Sequence, residues 1–251
     1  MLRLFNLIWP MIFGGETVVS RYRILSFVFL YFLYFLCCNF SIAGVVIGGT
    51  RVIYLSNKKE VSISISNPEK DVDYLIQSWI QDDNNKTKTP FIVTPPLFKL
   101  SANNENILRI VRVGNDLPLD RESLLWLNIK TIPGSFDLNE NTNQLYIVVN
   151  SKLKLFYRPD QLKKDADIAH KLLKFKQNNG LLIAENPTPY FISFSSLNVD
   201  DHDIKQAGMI KPFGQMSWPL PLKNAKKVSW KVINDYGGTT QAETANIQIG
   251  V

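Results

Sequence analysis

The sequence predicts an all-β chain of two immunoglobulin-like β-sandwich domains. Three observations carry that expectation. Short alternating or wholly apolar runs recur along the chain between clusters of Gly, Pro, Asn and Asp, the cadence of a sandwich. No stretch carries a convincing 3.6-residue apolar period, so helices are not expected to contribute much. A charged, proline-flanked stretch at 160–169 interrupts the cadence and reads as a hinge. The length, 251 residues, allows one large or two ordinary domains, and 45% hydrophobic with 20% charged residues indicates a folded chain.

The N-terminus reads differently from the rest. Arg21 and Arg23 precede an apolar run at 24–38, and Ser41-Ile42-Ala43 has the small-x-small form of a cleavage site. Residues 1–43 are therefore read as a secretory signal peptide with cleavage after Ala43. The competing reading is a membrane anchor, but the run is shorter than the ~20 residues that a spanning helix requires. The apolar residues 1–13 lie ahead of it, and both Met1 and Met11 are candidate starts. Cys37 and Cys38, the only two cysteines, lie in this segment. The remaining ~208 residues must then be held by their core alone, and that length is sufficient. The formal charge of +6 falls to about +4 without the segment, too little to argue for nucleic acid.

Beyond residue 44 the first expected strand is 46–54, kinked at Gly48-Gly49. Residues 60–66, EVSISIS, alternate strictly and stop at Asn67-Pro68. Strands are further expected at 74–81, 91–94, 97–100, 106–113 and 122–133. A short polar connection follows, and then the run QLYIVVNSKLKLFYRP at 144–159. In an extended strand Leu145, Ile147 and Val149 share one face, and Tyr146 and Val148 the other. A strand apolar on both faces is either wholly buried or waiting for a partner. Further on, Lys152 and Lys154 oppose Leu153 and Leu155, the pattern of a half-buried strand with a cationic wet face. The whole is expected as one strand of about 14 residues, ~45 Å long. After the hinge, strands are expected at 172–177, 180–186, 190–199, 204–210, 215–219, 227–234 and 244–249. Trp79, Trp126, Trp218 and Trp230 read as core residues.

Catalytic chemistry finds little support. His170 and His202 are the only histidines, and neither has zinc-type spacing. His202 lies in the acidic run Asp200–Asp203, read as a solvated turn more readily than as a cation site. No phosphate-binding or dinucleotide fingerprint is present.

Several segments, in order along the chain, resemble one family. They are GTRVIY (49–54), SNP (66–68), TPPLFKL (94–100), RIVRV (109–113), DRESLLWLNIKTIP (120–133), KLFYRP (154–159), NPTPYFISF (186–194) and NDYGG (234–238). The chain is similar to the periplasmic chaperones of chaperone–usher pili, the PapD-like family. The resemblance implies two sandwiches in an L or boomerang arrangement, with domains at 44–159 and 160–251 and a subunit-binding strand at 144–157. It implies that Arg51 and Lys154 anchor the C-terminal carboxylate of a pilus subunit. It implies that Leu145, Ile147 and Val149 enter the groove of a subunit lacking its last strand, and that Glu122, Arg158 and Asp235 form a charged interdomain set. The expected partners are pilus subunits and an outer-membrane usher, with a self-capping homodimer in their absence. Neither ATP, nucleic acid, metal nor any other cofactor is expected, and the compartment is the periplasm. The short connection before residue 144 resembles the branch that serves rod-like pili with tip adhesins. The runner-up reading is a secreted immunoglobulin-like structural or adhesive surface protein. A secreted β-sandwich hydrolase is weaker, since no nucleophile–base or carboxylate pair is recognisable.

Overall fold

A computed structural model describes residues 26–31, 44–114, 117–134, 145–162, 164–222 and 225–249. The chain divides into two compact units, residues 1–43 and 44–251. In the first, residues 26–31 are helical and exposed; most of the expected signal segment, including Ala43, lies outside the described residues. Among the described residues no helix is long and apolar enough to cross a membrane.

The second unit is built of strands. Nine form a first sandwich: β1 (Val46–Ile47), β2 (Arg51–Leu55), β3 (Glu60–Ser66), β4 (Tyr74–Gln81), β5 (Phe91–Thr94), β6 (Leu97–Leu100), β7 (Glu105–Arg112), β8 (Ser123–Pro133) and β9 (Val149–Arg158). One sheet runs β1-β3-β7-β5 and the other β2-β9-β8-β4-β6. The period-2 patterns decide which side chains meet between them. Ile63 and Ile65 of β3 and Leu108 and Ile110 of β7 pack against Ile76, Leu127, Ile129 and Leu155 of the opposite sheet, all buried. Each such side chain contributes roughly 1.5–3 kcal/mol, which explains how the unit holds together without a disulfide.

The expected strand 46–54 is two strands in different sheets. β1 pairs antiparallel with β3, whereas β2 pairs parallel with β9. The chain crosses from one sheet to the other at residues 48–50, and Gly48 permits the crossing. Its amide donates to the Ser64 carbonyl at 2.9 Å, and a Cβ there would lie 2.2 Å from Ser64 Oγ.

The expected strand 144–157 is also shorter than the pattern suggests. Pairing with β8 starts at Val149, opposite Thr131. Ile132 and Pro133 of β8 pair with β4 alone, and proline has no amide to extend a ladder. Among the described strands, none is paired with residues 145–148. Gln144 and most of the preceding connection, including its length-defining part, lie outside the described residues.

Two short 3-10 turns, Asp160–Leu162 and Ala169–Leu172, lead into the second sandwich. Its strands are β10 (Lys174–Asn178), β11 (Leu181–Glu185), β12 (Ile192–Val199), β13 (His202–Asp203), β14 (Met209–Ile210), β15 (Gln215–Pro219), β16 (Lys227–Val232), β17 (Glu243–Asn246) and β18 (Gln248–Ile249). One sheet runs β15-β11-β10-β18 and the other β13-β12-β16-β17, with β14 also on β12. Phe175, Leu182, Leu197, Val228 and Trp230 fill the space between them. Three expected strands are corrected here. The stretch 172–177 starts as a turn and pairs only from Lys174. The stretch 204–210 is mostly loop, with Gln206 and Gly208 in the left-handed region at φ 57° and 76°. The stretch 244–249 splits between the two sheets, with buried Ile247 filling the core at the changeover.

Trp218 and Trp230 are buried, as their pattern suggested. Trp79 and Trp126 are not core residues: both are half-buried. They stand on the outer face of β4 and β8, because the residues alternating with them, Ile80, Leu125 and Leu127, take the core side.

Candidate functional site

The two faces of β9 serve different ends. Leu153, Leu155 and Tyr157 point into the first sandwich, while Lys152, Lys154, Phe156 and Arg158 point out. The parallel register sets Arg51 of β2 directly beside Lys154, Ile53 beside Phe156, and Leu55 beside Arg158. On the other flank Trp126 of β8 stands opposite Lys154. One continuous cationic and aromatic surface results, and it faces the second sandwich.

Arg51 and Lys154 each reach across to that sandwich. The Arg51 Nη1 donates to the Ile233 carbonyl at 3.0 Å, and Lys154 Nζ donates to Ser193 Oγ at 3.2 Å. The Arg51 guanidinium also lies 5.7 Å from the Phe156 ring centroid. Both partners are neutral oxygens. Burial lowers the pKa of Arg51, opposed by the Asp235 and Glu122 carboxylates. Burial and then the neighbouring Arg51 charge lower that of Lys154. Among the described residues the buried Arg51 Nε finds no hydrogen-bond partner. Two partly desolvated cations side by side, one with an orphaned donor, form a site that gains from an anion with two acceptor oxygens.

Below this pair lies a second charged group. Arg158 Nε donates to Glu122 Oε1 at 2.6 Å, and its two terminal nitrogens reach both Asp235 oxygens at 2.7 and 2.8 Å. The Phe191 amide donates to the other Glu122 oxygen at 2.8 Å. Arg158 and Glu122 come from the first sandwich, Asp235 and Phe191 from the second. Burial opposes the Arg158 charge, but the Asp235 and Glu122 carboxylates outweigh it and its pKa is raised. Burial pushes the Glu122 carboxyl up, against the pull of Arg158 and the Phe191 amide.

At the near end of β9 the apolar residues face solvent. Along one face, relative exposure falls from 85% at Leu145 through 68% at Ile147 and 50% at Val149 to 6% at Leu153. Tyr146 and Val148 on the other face are also exposed, at 41% and 46%. On its β2 side, β9 is paired only from Lys154 onward. Among the described strands, residues 149–153 therefore form an open edge on that side, and it ends at Arg51 and Lys154.

Residues 44–163 match the family described as pili and flagellar-assembly chaperone, PapD N-terminal domain, and residues 168–244 match the pili assembly chaperone PapD, C-terminal domain. This chain belongs to the PapD-type pilus-assembly chaperones. It is 42% identical over 224 residues to the probable fimbrial chaperone LpfB of Escherichia coli O157:H7, covering 88% of this chain and 97% of that protein. It is 40% identical over 206 residues to the chaperone protein FimC of Escherichia coli K12, covering 80% and 84%. Among solved structures, one chain of the Salmonella enterica SafA pilin–SafB chaperone complex matches with TM-score 0.74, 33% identity, and 83% and 99% of the two chains covered. The E. coli chaperone DraB matches with TM-score 0.73, 36% identity, and 82% and 97% covered.

Within this PapD-type chain the structure brings Arg51 next to Lys154 and gathers Glu122, Arg158 and Asp235 into one contact. Leu145, Ile147 and Val149 lie on the surface, away from both groups. Sequence reasoning missed Trp126, whose ring lies 4.6 Å from Lys152 Nζ and whose Nε1 donates to Asp83 at 3.3 Å. That Trp126 bond, then Lys211 Nζ at 3.3 Å, lowers the Asp83 pKa. Its signal was available: Trp126 and Lys154 both fall on the polar face of their strands. The acidic run at 200–203 is a fastened turn, in which the Asp200 oxygens accept from the Lys226 and Lys227 amides at 2.9 Å each. His202 there is exposed, whereas His170 is buried with Nε2 3.7 Å from Glu243. Among the described residues, no three His, Cys, Asp or Glu side chains are grouped as metal ligands would be.

Proposed function

We propose that this chaperone binds a pilus subunit by lending it the edge of β9 and the apolar row ahead of it, then hands it to an outer-membrane usher. The single observation that carries the proposal is the row Leu145, Ile147, Val149. By alternation it continues the core face of β9 outward, and among the described residues it is left exposed. Apolar side chains at two-residue spacing suit the groove of a sandwich that lacks a strand, and an open edge suits strand addition. Each of the three adds ~1.5–3 kcal/mol when fully buried.

The register comes from the far end. An incoming strand lying on the open edge, in line with β2 and so parallel to β9, meets Arg51 and Lys154 where β2 begins. A chain end placed there offers its carboxylate to both cations and to the orphaned Arg51 Nε. Fixing that point matters, because a one-residue slip would present Tyr146 and Val148 instead. Without cargo, two copies cover their apolar rows against each other. In this reading residues 1–43 are the export signal, 44–159 and 160–251 the two domains, and the periplasm the place of action. Binding energy, with no nucleotide, drives the cycle.

The test is co-expression with a fimbrial subunit. The subunit is expected to co-purify with the wild-type chaperone and to be lost with Lys154→Ala. Should both versions purify alone while subunit accumulates normally, a self-sufficient immunoglobulin-like surface protein becomes the better reading.

A further inference from the structure

Lys154 borders a cavity beyond its contact with Ser193. It measures about 530 Å³ and lies between Trp126 of the first sandwich and Phe194, Ile204, Ala207 and Met209 of the second. That size falls within the ~300–1,000 Å³ usual for clefts that take small ligands. A β-bulge between Phe194 and Ser196 breaks the pairing of β12 with β16 at the cavity, and bulges of this kind re-aim side chains. The 204–208 loop also lines it, with Gln206 and Gly208 both at positive φ. Two departures from regular strand geometry thus shape one hollow beside the cation pair.

We infer that this hollow is a side-chain pocket for the last two residues of the cargo chain, favouring large apolar side chains over small ones. The inference rests on the carboxylate reading above. A terminal carboxylate on Lys154 leaves the side chains next to it within reach of a cavity that Lys154 itself lines. Trp126, Phe194 and Met209 supply apolar walls, and the charged residues that also line the hollow, Asp203 and Lys205, are exposed to solvent. Binding of a chain end would therefore be read twice, once by charge and once by size.

Fluorescence anisotropy with labelled synthetic peptides tests this on the whole protein. The peptides are alternating Val/Thr sequences that end in Leu-Leu or Ala-Ala, each as free acid and as amide. The acids are expected to bind and the amides to fail, with Leu-Leu about tenfold tighter than Ala-Ala. Ser195, exposed at the bulge, offers a way to block the pocket: Ser195→Trp should remove the tenfold difference and leave the Ala-Ala acid unchanged. Trp126→Ala, which removes a wall, should also shrink the difference. Equal binding of the two acids, or a difference that survives Ser195→Trp and Trp126→Ala, overturns the pocket while leaving the carboxylate site intact. Amides that bind as well as acids, or acids that fail to bind at millimolar concentration, overturn the carboxylate site and the pocket with it.

Discussion

Lys154 illustrates how much two neighbouring side chains can decide. An ammonium that is half-buried beside a guanidinium is held below the ordinary lysine value of 10.5 by burial first and by Arg51 second. A carboxylate placed against it reverses part of that penalty, so the bound form has the higher pKa. Binding then takes up a proton in the interval between the two values. Affinity for a subunit is full below the lowered pKa of the free protein and declines as pH rises through the interval. The expected result is a fall in affinity on the alkaline side, starting below pH 10.5, in anisotropy or calorimetry. Lys154→Arg, whose charge persists throughout, should flatten that decline. An equally steep decline in Lys154→Arg would remove Lys154 from the anchor. None of this proximity was legible in the residues themselves: Arg51 and Lys154 are far apart in sequence, and only the parallel β2–β9 register joins them. The family resemblance supplied the pairing; spacing could not. Trp126 was read as core for the opposite reason, because an aromatic in an apolar strand looks like core until its face is known.

At the level of the element, β9 and the four residues ahead of it carry one alternation through two environments. Substituting Ile147→Glu places a charge in the middle of the exposed row. In the free protein the site is 68% exposed, so the fold should be unaffected and the urea midpoint should stay within experimental scatter. In the complex the same carboxylate would be driven into an apolar groove without a partner, and subunit binding should be lost. Unchanged co-purification would mean that the other face, Tyr146 and Val148, meets the subunit. Sequence alternation expected this row on one face, and the structure leaves all three residues exposed. It could not tell where pairing begins, since Thr131 and Pro133 of a different strand set that limit. The crossing at Gly48 was hidden similarly: residues 46–54 read as one apolar run, and the change of sheet depends on Ser64 lying against a glycine that has no Cβ.

For the molecule as a whole, the contact between the sandwiches depends on charges taken out of water. Arg158 has a side chain 7% exposed and Glu122 one only 2% exposed, with Asp235 at 31%. A buried pair of this kind is weak evidence for net stability, because desolvation offsets much of the attraction. Its members are nevertheless costly to remove singly. Arg158→Ala leaves Glu122 buried with the Phe191 amide as its remaining partner and should cost about 3–5 kcal/mol, a large part of the ~5–15 kcal/mol that stabilises a typical domain. Asp235→Ala should cost less than Arg158→Ala, since Asp235 is partly solvated and Arg158 keeps its bond to Glu122. Replacing Arg158 and Glu122 together by Met and Leu should restore most of the loss, because neither charge is then stranded. Urea unfolding of the three variants distinguishes the possibilities. If Arg158→Ala and the double replacement were equally unstable, packing between the sandwiches, not the stranded carboxylate, would be what Arg158 provides. If the double replacement is stable but no longer holds a subunit, the charges serve to fix the cleft in the geometry that Arg51 and Lys154 require, and stability is incidental to them.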